Sequence, residues 1–596
     1  MTAGPERNED AVAAPGAGSD AAGSNNAAPS AGSDAAGPDG AGSNEAAVAA
    51  RAVARDRAAG TGSQHRRRAR AATALGIAGG VVLIAATAAL ASGAVTSALP
   101  VPDDTVAVPV AAVPAGNSTV ACPGPPRVLD AALDATDPGF SPASRTMKST
   151  VGALVLSDLS STLPGSGVLP VSGGDPLALI RDFAAGSPSG RPASSGDDGL
   201  TQRIAGVARG VAVDAPSMLV AQPLGGLTPA AAATSTYTAT DGDLRGLAAT
   251  ACQVPSNEFW LLGASTTAGQ SAILALTNPT GTPATVSLEL HGADGRIDAA
   301  GSRGQLVAPG ETRQLVLAGL AGDQEQLAVR IRSDGGRVTG VIQQSVLRGL
   351  TPGGVDLLSP GAAPAVTQVV PGVVIQAADV ADRVRTEEGD GAAASALQVL
   401  VPGSSDAVLD IRVFGTEGER ELPGGSVVTA PAGAITRVPL DALPEGNYTV
   451  AVSSDVAVLA AARVTRGTAD DKPVDFGAVP AGVRLGAESA VVLGDGVDAS
   501  LVMGVPTGSA EVTLTPIGAD GGIGGPIVIG IAGGTSVTVP SSWLGTSPAG
   551  VLINATGDPA YGAQVMTLPG SDAGVSVTGI LPGTTGPQSI PVTLGY

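Results

Sequence analysis

Internal repetition constrains this fold more than any other feature. Three stretches share a strand, a proline turn, a second strand, a glycine turn and a third strand at nearly the same offsets. The first reads ILALTNPTGTPATVSLELHGADG, then LVAPGETRQLVL and LAVRIRSDGG. The second reads LQVLVPGSSDAVLDIRVFGTEG, then VTAPAGAITRVPL and YTVAVSSDVAV, and the third LVMGVPTGSAEVTLTPIGADGG, then GIAGGTSVTVP and GVLINATGDP. Their first turns carry Pro279, Pro402 and Pro506. Later turns at Pro309, Pro431 and Gly534 fall 30, 29 and 28 residues downstream, and acidic turns at Asp334, Asp455 and Asp558 follow after another 25, 24 and 24. Such self-similarity marks tandem copies of one supersecondary unit.

Inside the copies apolar residues alternate, as in Val286, Leu288 and Leu290, or Val408, Leu409, Ile411 and Val413, or Val512 and Leu514. A period of two between Pro/Gly turns is the signature of half-buried antiparallel strands. The 85 glycines, 46 prolines and 2 % aromatics favour short strands and small aliphatic cores over helical bundles. The expected fold is all-β, with tandem antiparallel β-sandwich domains of Ig-like or fibronectin-like kind. A closed propeller arrangement is the alternative. The repeats are expected at 256–365, 366–480 and 481–596. Residues 121–255 follow the template less clearly and read as a divergent first β-domain, with strand-like pieces at 152–157, 210–214 and 217–221 and a mobile Ser/Gly loop, SPSGRPASSGDDG.

A second feature sets an expected address. Residues 71–95, AATALGIAGGVVLIAATAALASGAV, carry no charge and directly follow Arg66, Arg67, Arg68 and Arg70. That length spans a bilayer as one helix, and the flanking arginines hold its N-terminal end in the cytoplasm. The segment reads as a single-pass transmembrane signal anchor; cleavage after Ala91 of the Ala89-Leu90-Ala91 motif, as in a signal peptide, is the competing reading. Residues 1–70, rich in Ala, Gly, Ser, Asn and Asp, have little to bury and are expected to form a disordered cytoplasmic tail. Residues 96–120 read as a Pro-rich spacer.

The net charge of -21 arises after residue 70, where 45 acidic residues face 24 basic ones. Such a surface repels phosphate backbones, so nucleic acid is not an expected partner. Cys122 and Cys252 are the only cysteines, both in the part expected outside the membrane, and a structural disulfide is the reading that compartment favours. His291 is the only histidine beyond the tail, which removes multi-histidine metal sites and leaves one residue for any Ser-His-Asp or Cys-His site. It reads as a surface strand residue. Asp241 with Asp243, and Glu387, Glu388 and Asp390, are the carboxylate clusters from which glycan hydrolysis or calcium binding could be built, and each also reads as a solvated turn. Residues 491–499 resemble GxGxxA, but no helix follows, so they read as strand-turn-strand. Trp260, just past Pro255–Asn257, reads as a core residue at the junction after the first domain.

The pattern CPGP at 122–125, LRGLAATACQVP at 244–255, Trp260 and L-x-L-x-NP at 274–279 resembles the large membrane-anchored secreted proteins of actinobacteria that form a domain family of unknown function. The resemblance, over about residues 70–596, implies a cell-envelope protein whose genes often lie near a glycosyltransferase gene, and it carries over no catalytic residue. The expected function is that of a non-enzymatic envelope protein without cofactor, projecting a rod of β-domains toward envelope proteins or cell-wall polymer. The alternatives are an envelope glycan-processing enzyme using paired carboxylates and a ligand-binding accessory subunit.

Overall fold

The alternation read in the repeats is the alternation of buried and exposed side chains along paired strands. Within ATVSLELHG, for example, Ala284, Val286, Leu288 and Leu290 point into a core while Thr285 faces solvent. The computed structural model describes residues 110–112, 115–128, 144–183, 203–224, 226–349, 351–388, 394–468, 472–583 and 589–591. The tail expected at 1–70 and the anchor expected at 71–95 lie outside these residues. Among the described residues no helix is long and apolar enough to cross a membrane.

Between a short β1 (Val110–Ala112) and β35 (Ser589–Pro591), which pair with each other, the strands form four modules. Module 1 holds β2 (Ser118–Cys122), β3 (Lys148–Leu156), β4 (Ser166–Pro170), β5 (Ala178–Arg181), β6 (Ala205–Ala212), β7 (Ser217–Ala221), β8 (Ala231–Ala239) and β9 (Gly246–Ala251). Module 2 holds β10 (Glu258–Ala264), β11 (Gln270–Thr277), β12 (Ala284–Gly292), β13 (Gly295–Ile297), β14 (Gln305–Val307), β15 (Thr312–Val316), β16 (Leu327–Gly335), β17 (Thr339–Arg348) and β18 (Thr351–Leu358). Module 3 holds β19 (Ala365–Ile375), β20 (Ala396–Leu400), β21 (Ala407–Gly415), β22 (Gly418–Arg420), β23 (Val427–Ala430), β24 (Ile435–Pro439), the long β25 (Gly446–Gly467) and β26 (Val474–Pro480), with a helix α1 (Ala378–Glu388) between β19 and β20. Module 4 holds β27 (Ser489–Val492), β28 (Asp498–Val505), β29 (Ser509–Ile517), β30 (Ile527–Ala532), β31 (Thr535–Pro540), β32 (Gly550–Gly557), β33 (Tyr561–Thr567) and β34 (Val575–Gly579).

All four modules use one pairing order. The sheets are β2-β7-β4-β5 and β6-β3-β8-β9 in module 1, β10-β16-β12-β13 and β15-β11-β17-β18 in module 2, and β27-β32-β29-β30 and β31-β28-β33-β34 in module 4. In module 3 the same order runs through both halves of β25, as β19-β25-β21-β22 and β24-β20-β25-β26. Each pair of sheets encloses a core; in module 2, Leu261, Val286, Leu288 and Val329 of one sheet meet Leu274, Leu276 and Ile342 of the other. The residues outside the visible repeats, β2 to β9, therefore have the same topology as the repeats, with longer connections. The four-plus-four division differs from the four-plus-three of an immunoglobulin constant domain. The turn acids have a defined task in two copies: Asp455 accepts the N–H of Val408 at 3.0 Å and Asp558 that of Ser509 at 2.8 Å, fixing the start of β21 and β29.

The modules do not follow one another as a rod. The last strand of each second sheet has a free edge, and these four edges meet: β9 and β26 each lie beside both β18 and β34. The four modules thus close into a ring, each made of two sheets rather than of the single four-stranded blade of a propeller. Separate apolar clusters seal three junctions: Tyr237, Leu244, Val341 and Leu357 between modules 1 and 2, Trp260, Leu262, Leu400 and Ile435 between 2 and 3, and Leu154, Ala205, Val492 and Ile517 between 4 and 1. Between 3 and 4, Val565 and Val577 join the module 3 core directly.

Candidate functional site: a buried hub and a polar cleft

The structure scatters the residues that the sequence singled out. Cys122 and Cys252 are joined in a disulfide at the end of β2 and just beyond β9, so the staple closes module 1. Asp241 lies in the exposed turn after β8, where its carboxylate accepts hydrogen bonds from the Ser144 hydroxyl (2.5 Å), the Thr146 hydroxyl (2.7 Å) and the N–H groups of Arg145 and Thr146. The two hydroxyls above all hold it below the usual carboxylate range, while burial pushes Asp243 up. Asp241 thus anchors a turn. Glu387 and Glu388 end α1, and Asp390 lies outside the described residues. Residues 491–499 are strand-turn-strand, and Asp495 there pairs with Arg209 of module 1 at 2.5 Å.

Two expectations need correction. His291 is buried, not on the surface: its Nδ1 lies 2.7 Å from the carbonyl of Gly433 in module 3 and its Nε2 3.2 Å from Glu289. Leu290 beside it points into the module 2 core, whereas His291 faces module 3, which covers it. Trp260 is a junction residue, but of modules 2 and 3; it stacks at 5.7 Å from His291 and under the Arg330 guanidinium, 5.3 Å away. Among the described residues no group of three or more His, Cys, Asp or Glu is arranged to hold a metal ion.

Two acids that the sequence reading passed over occupy the centre of the ring. Asp475 of β26 accepts four backbone N–H groups: Val355 (3.1 Å) and Phe476 (3.0 Å) on Oδ1, Leu247 (2.9 Å) and Val575 (3.3 Å) on Oδ2. One donor comes from each module's last strand. Those strands are sheet edges whose outward N–H groups would otherwise be buried without partners. Asp356 of β18 accepts the N–H of Ala478 (2.7 Å) and the hydroxyl of Ser576 (2.8 Å), and Ser576 in turn accepts the N–H of Ala249 (2.9 Å). The local sequence makes the space at Gly246 and Gly354. The residues preceding Leu247, Val355 and Val575 are Gly246, Gly354 and Gly574, whereas the one preceding Phe476 is Asp475 itself. A Cβ on Gly246 would lie 2.8 and 3.0 Å from the two Asp475 oxygens. Burial pushes Asp356 up to about 7 against the bonds from Ala478 and Ser576. Burial also raises Asp475 well above the usual range, opposed by the Leu247 N–H and reinforced by Asp356. An acid inside an apolar strand, as in GGVDLL and PVDFGAV, was the available sequence signal.

Between modules 2 and 3 lies a polar cleft of about 400 Å³. Its floor is the outer face of the β24-β20-β25 sheet, where register places Arg437 opposite Gln398 and Arg463 opposite Ala396. Its walls are the turn around Ser265 and Thr267 and the loop that carries Asp323, Glu325 and Gln326. Arg463 packs at 4.1 Å over Phe476, and Arg437 donates to the carbonyl of Ala394 at 3.2 Å, so both guanidiniums are held in place. The side-chain oxygens of Gln326 and Gln398 are buried without a hydrogen-bond donor from the protein.

The profile of DUF5719, a family of unknown function, matches residues 207–542, more than half of the chain. The chain belongs to this family. The DUF5719 region runs from β6 into module 4 and includes Asp356, Asp475 and all of the cleft residues named above, whereas Cys122 and Ser576 lie outside it. No curated protein matches this DUF5719 chain.

Proposed function

We propose that the chain is a non-catalytic scaffold of the cell envelope, held at the membrane by residues 71–95 and presenting its β-ring outside for contact with envelope proteins or wall polymer. The observation that carries this reading is the hub. One carboxyl group takes a hydrogen bond from each of four modules, so the modules move as one body and offer a fixed surface rather than beads on a flexible string. Rigid presentation lowers the entropy that a partner must overcome on binding. The uncharged 71–95 segment behind its arginines supports the address. The test uses cells carrying the full chain. External protease should reach the ring in intact cells, and the solubilised protein should co-sediment with purified wall polymer or cross-link to membrane neighbours. Cleavage only after permeabilisation, or neither kind of contact, overturns the reading. The glycan-processing alternative is checked with the same preparation by following wall hydrolysis with Asp241→Asn and Asp243→Asn.

A further inference from the structure

The cleft between modules 2 and 3 has the make-up of a small-ligand site. Its volume, about 400 Å³, falls in the range of such sites. Strand β20 presents Ala396 and Gln398 on one face, two residues apart, and its neighbours set Arg463 beside the first and Arg437 beside the second. The small Ala394 and Ala396 leave the floor open between the two guanidiniums. Charge is graded across the cleft. Arg463, Gln398 and Gln326 are 9 %, 5 % and 7 % exposed, whereas Asp323 and Glu325 stand exposed at the mouth.

That grading selects a ligand. Two guanidiniums on one floor, on either side of β20, suit a carboxylate, which a single guanidinium can hold through parallel N–H bonds. The acidic mouth repels a polyanion, and so favours a molecule whose second end is cationic. The Gln326 and Gln398 oxygens call for N–H donors. We propose that the cleft binds a small zwitterion, a free amino acid or a short peptide, with its carboxylate on Arg437 and Arg463 and its ammonium toward Asp323 and Glu325. This assignment deepens the binding role proposed above and rests on it.

Isothermal titration of the solubilised full chain with alanyl-alanine tests it, alongside the N-acetylated and the C-amidated dipeptide. Saturable binding of alanyl-alanine is expected, weakened about tenfold or more by capping either end and by Arg437→Gln or Asp323→Asn, a loss of at least about 1.4 kcal/mol. Both variants alter side chains outside the module cores, and an unchanged unfolding midpoint verifies that they fold. Absence of saturable binding, or equal binding of the capped dipeptides, overturns the assignment. If the protein then still co-sediments with wall polymer, only the ligand falls. If alanyl-alanine binds as expected while every envelope contact is missing, the cleft stands and the scaffold reading falls.

Discussion

Replacing Gly354 by alanine strikes the hub where it has least room. Gly354 has φ +109°, and a Cβ there would lie 2.9 Å from the Cα of Asp475 and closer still to its Oδ1. The backbone conformation alone costs an alanine about 1–3 kcal/mol. The Asp475 Cα belongs to the paired strand β26 and cannot retreat, so the carboxyl group must swing away from the N–H groups of Val355 and Phe476. Each buried N–H left without an acceptor adds about 1–3 kcal/mol. The expected loss is therefore at least about 3 kcal/mol. Gly349→Ala is the control: its φ is +60° and its Cβ would meet nothing within 4 Å, so only the backbone term of about 1 kcal/mol remains. Urea unfolding followed by tryptophan fluorescence gives the comparison, since buried Trp260 and exposed Trp543 are the only tryptophans and midpoints at a common slope convert to free energy. Equal losses in the two variants would refute the view that the glycine is there to admit the carboxyl group.

Stability should fall as pH rises between about 4 and about 7. Asp356 keeps a proton in the folded ring up to about 7, while in the unfolded chain it releases it near the ordinary value of 3.8. The folded state thus binds more protons in that window, for a loss of up to about 4 kcal/mol across it; Asp356→Asn should flatten the profile measured by unfolding at fixed pH steps, and an unchanged slope would rule Asp356 out as its source. Cys122→Ser should destabilise module 1 by about 3–5 kcal/mol, because the bond closes a loop with a sequence separation of 130; hydrogen exchange should show the gain in openings confined mainly to β2 to β9. Trp260→Ala should cost about 3–5 kcal/mol and raise exchange in β10 and β24 together, since the side chain packs on Leu400 and Ile435 across the junction. A protection change restricted to module 2 would contradict that placement.

Much of the fold was legible in the residues because strand burial is a local matter. Val286, Leu288 and Leu290 alternate in the sequence since they alternate between core and solvent, and Pro279, Pro402 and Pro506 mark the turn between the second and third strands of their modules. Module 1 carries the same eight strands, but its longer connections, such as the one from β3 to β4, break the spacing by which a repeat is noticed. Ring closure was not legible for a different reason. It depends on which edges meet, and at the one position where the copies must be compared three carry glycine, Gly246, Gly354 and Gly574, and one carries Asp475. His291 was misplaced for the same cause, since the surface that buries it belongs to a module 142 residues further along the chain at Gly433. The cleft likewise has no local signature. Asp323 and Arg463 lie far apart in sequence, and only the junction brings the loop of the first against strand β25 of the second.

The hub also limits how such a ring can be encoded. A ring assembled from four identical, separate chains would place four aspartates at its centre or four glycines. The first would put an aspartate where Gly246 and Gly354 already leave no room for a Cβ beside the Asp475 carboxyl group, and the second would leave four buried N–H groups with no acceptor. Three small residues and one acid require that one copy differ from its siblings, which a tandem gene guarantees and self-association of a single module does not. Covalent linkage of the modules is thus a stoichiometric device: it ensures that the centre of every ring receives one and only one Asp475.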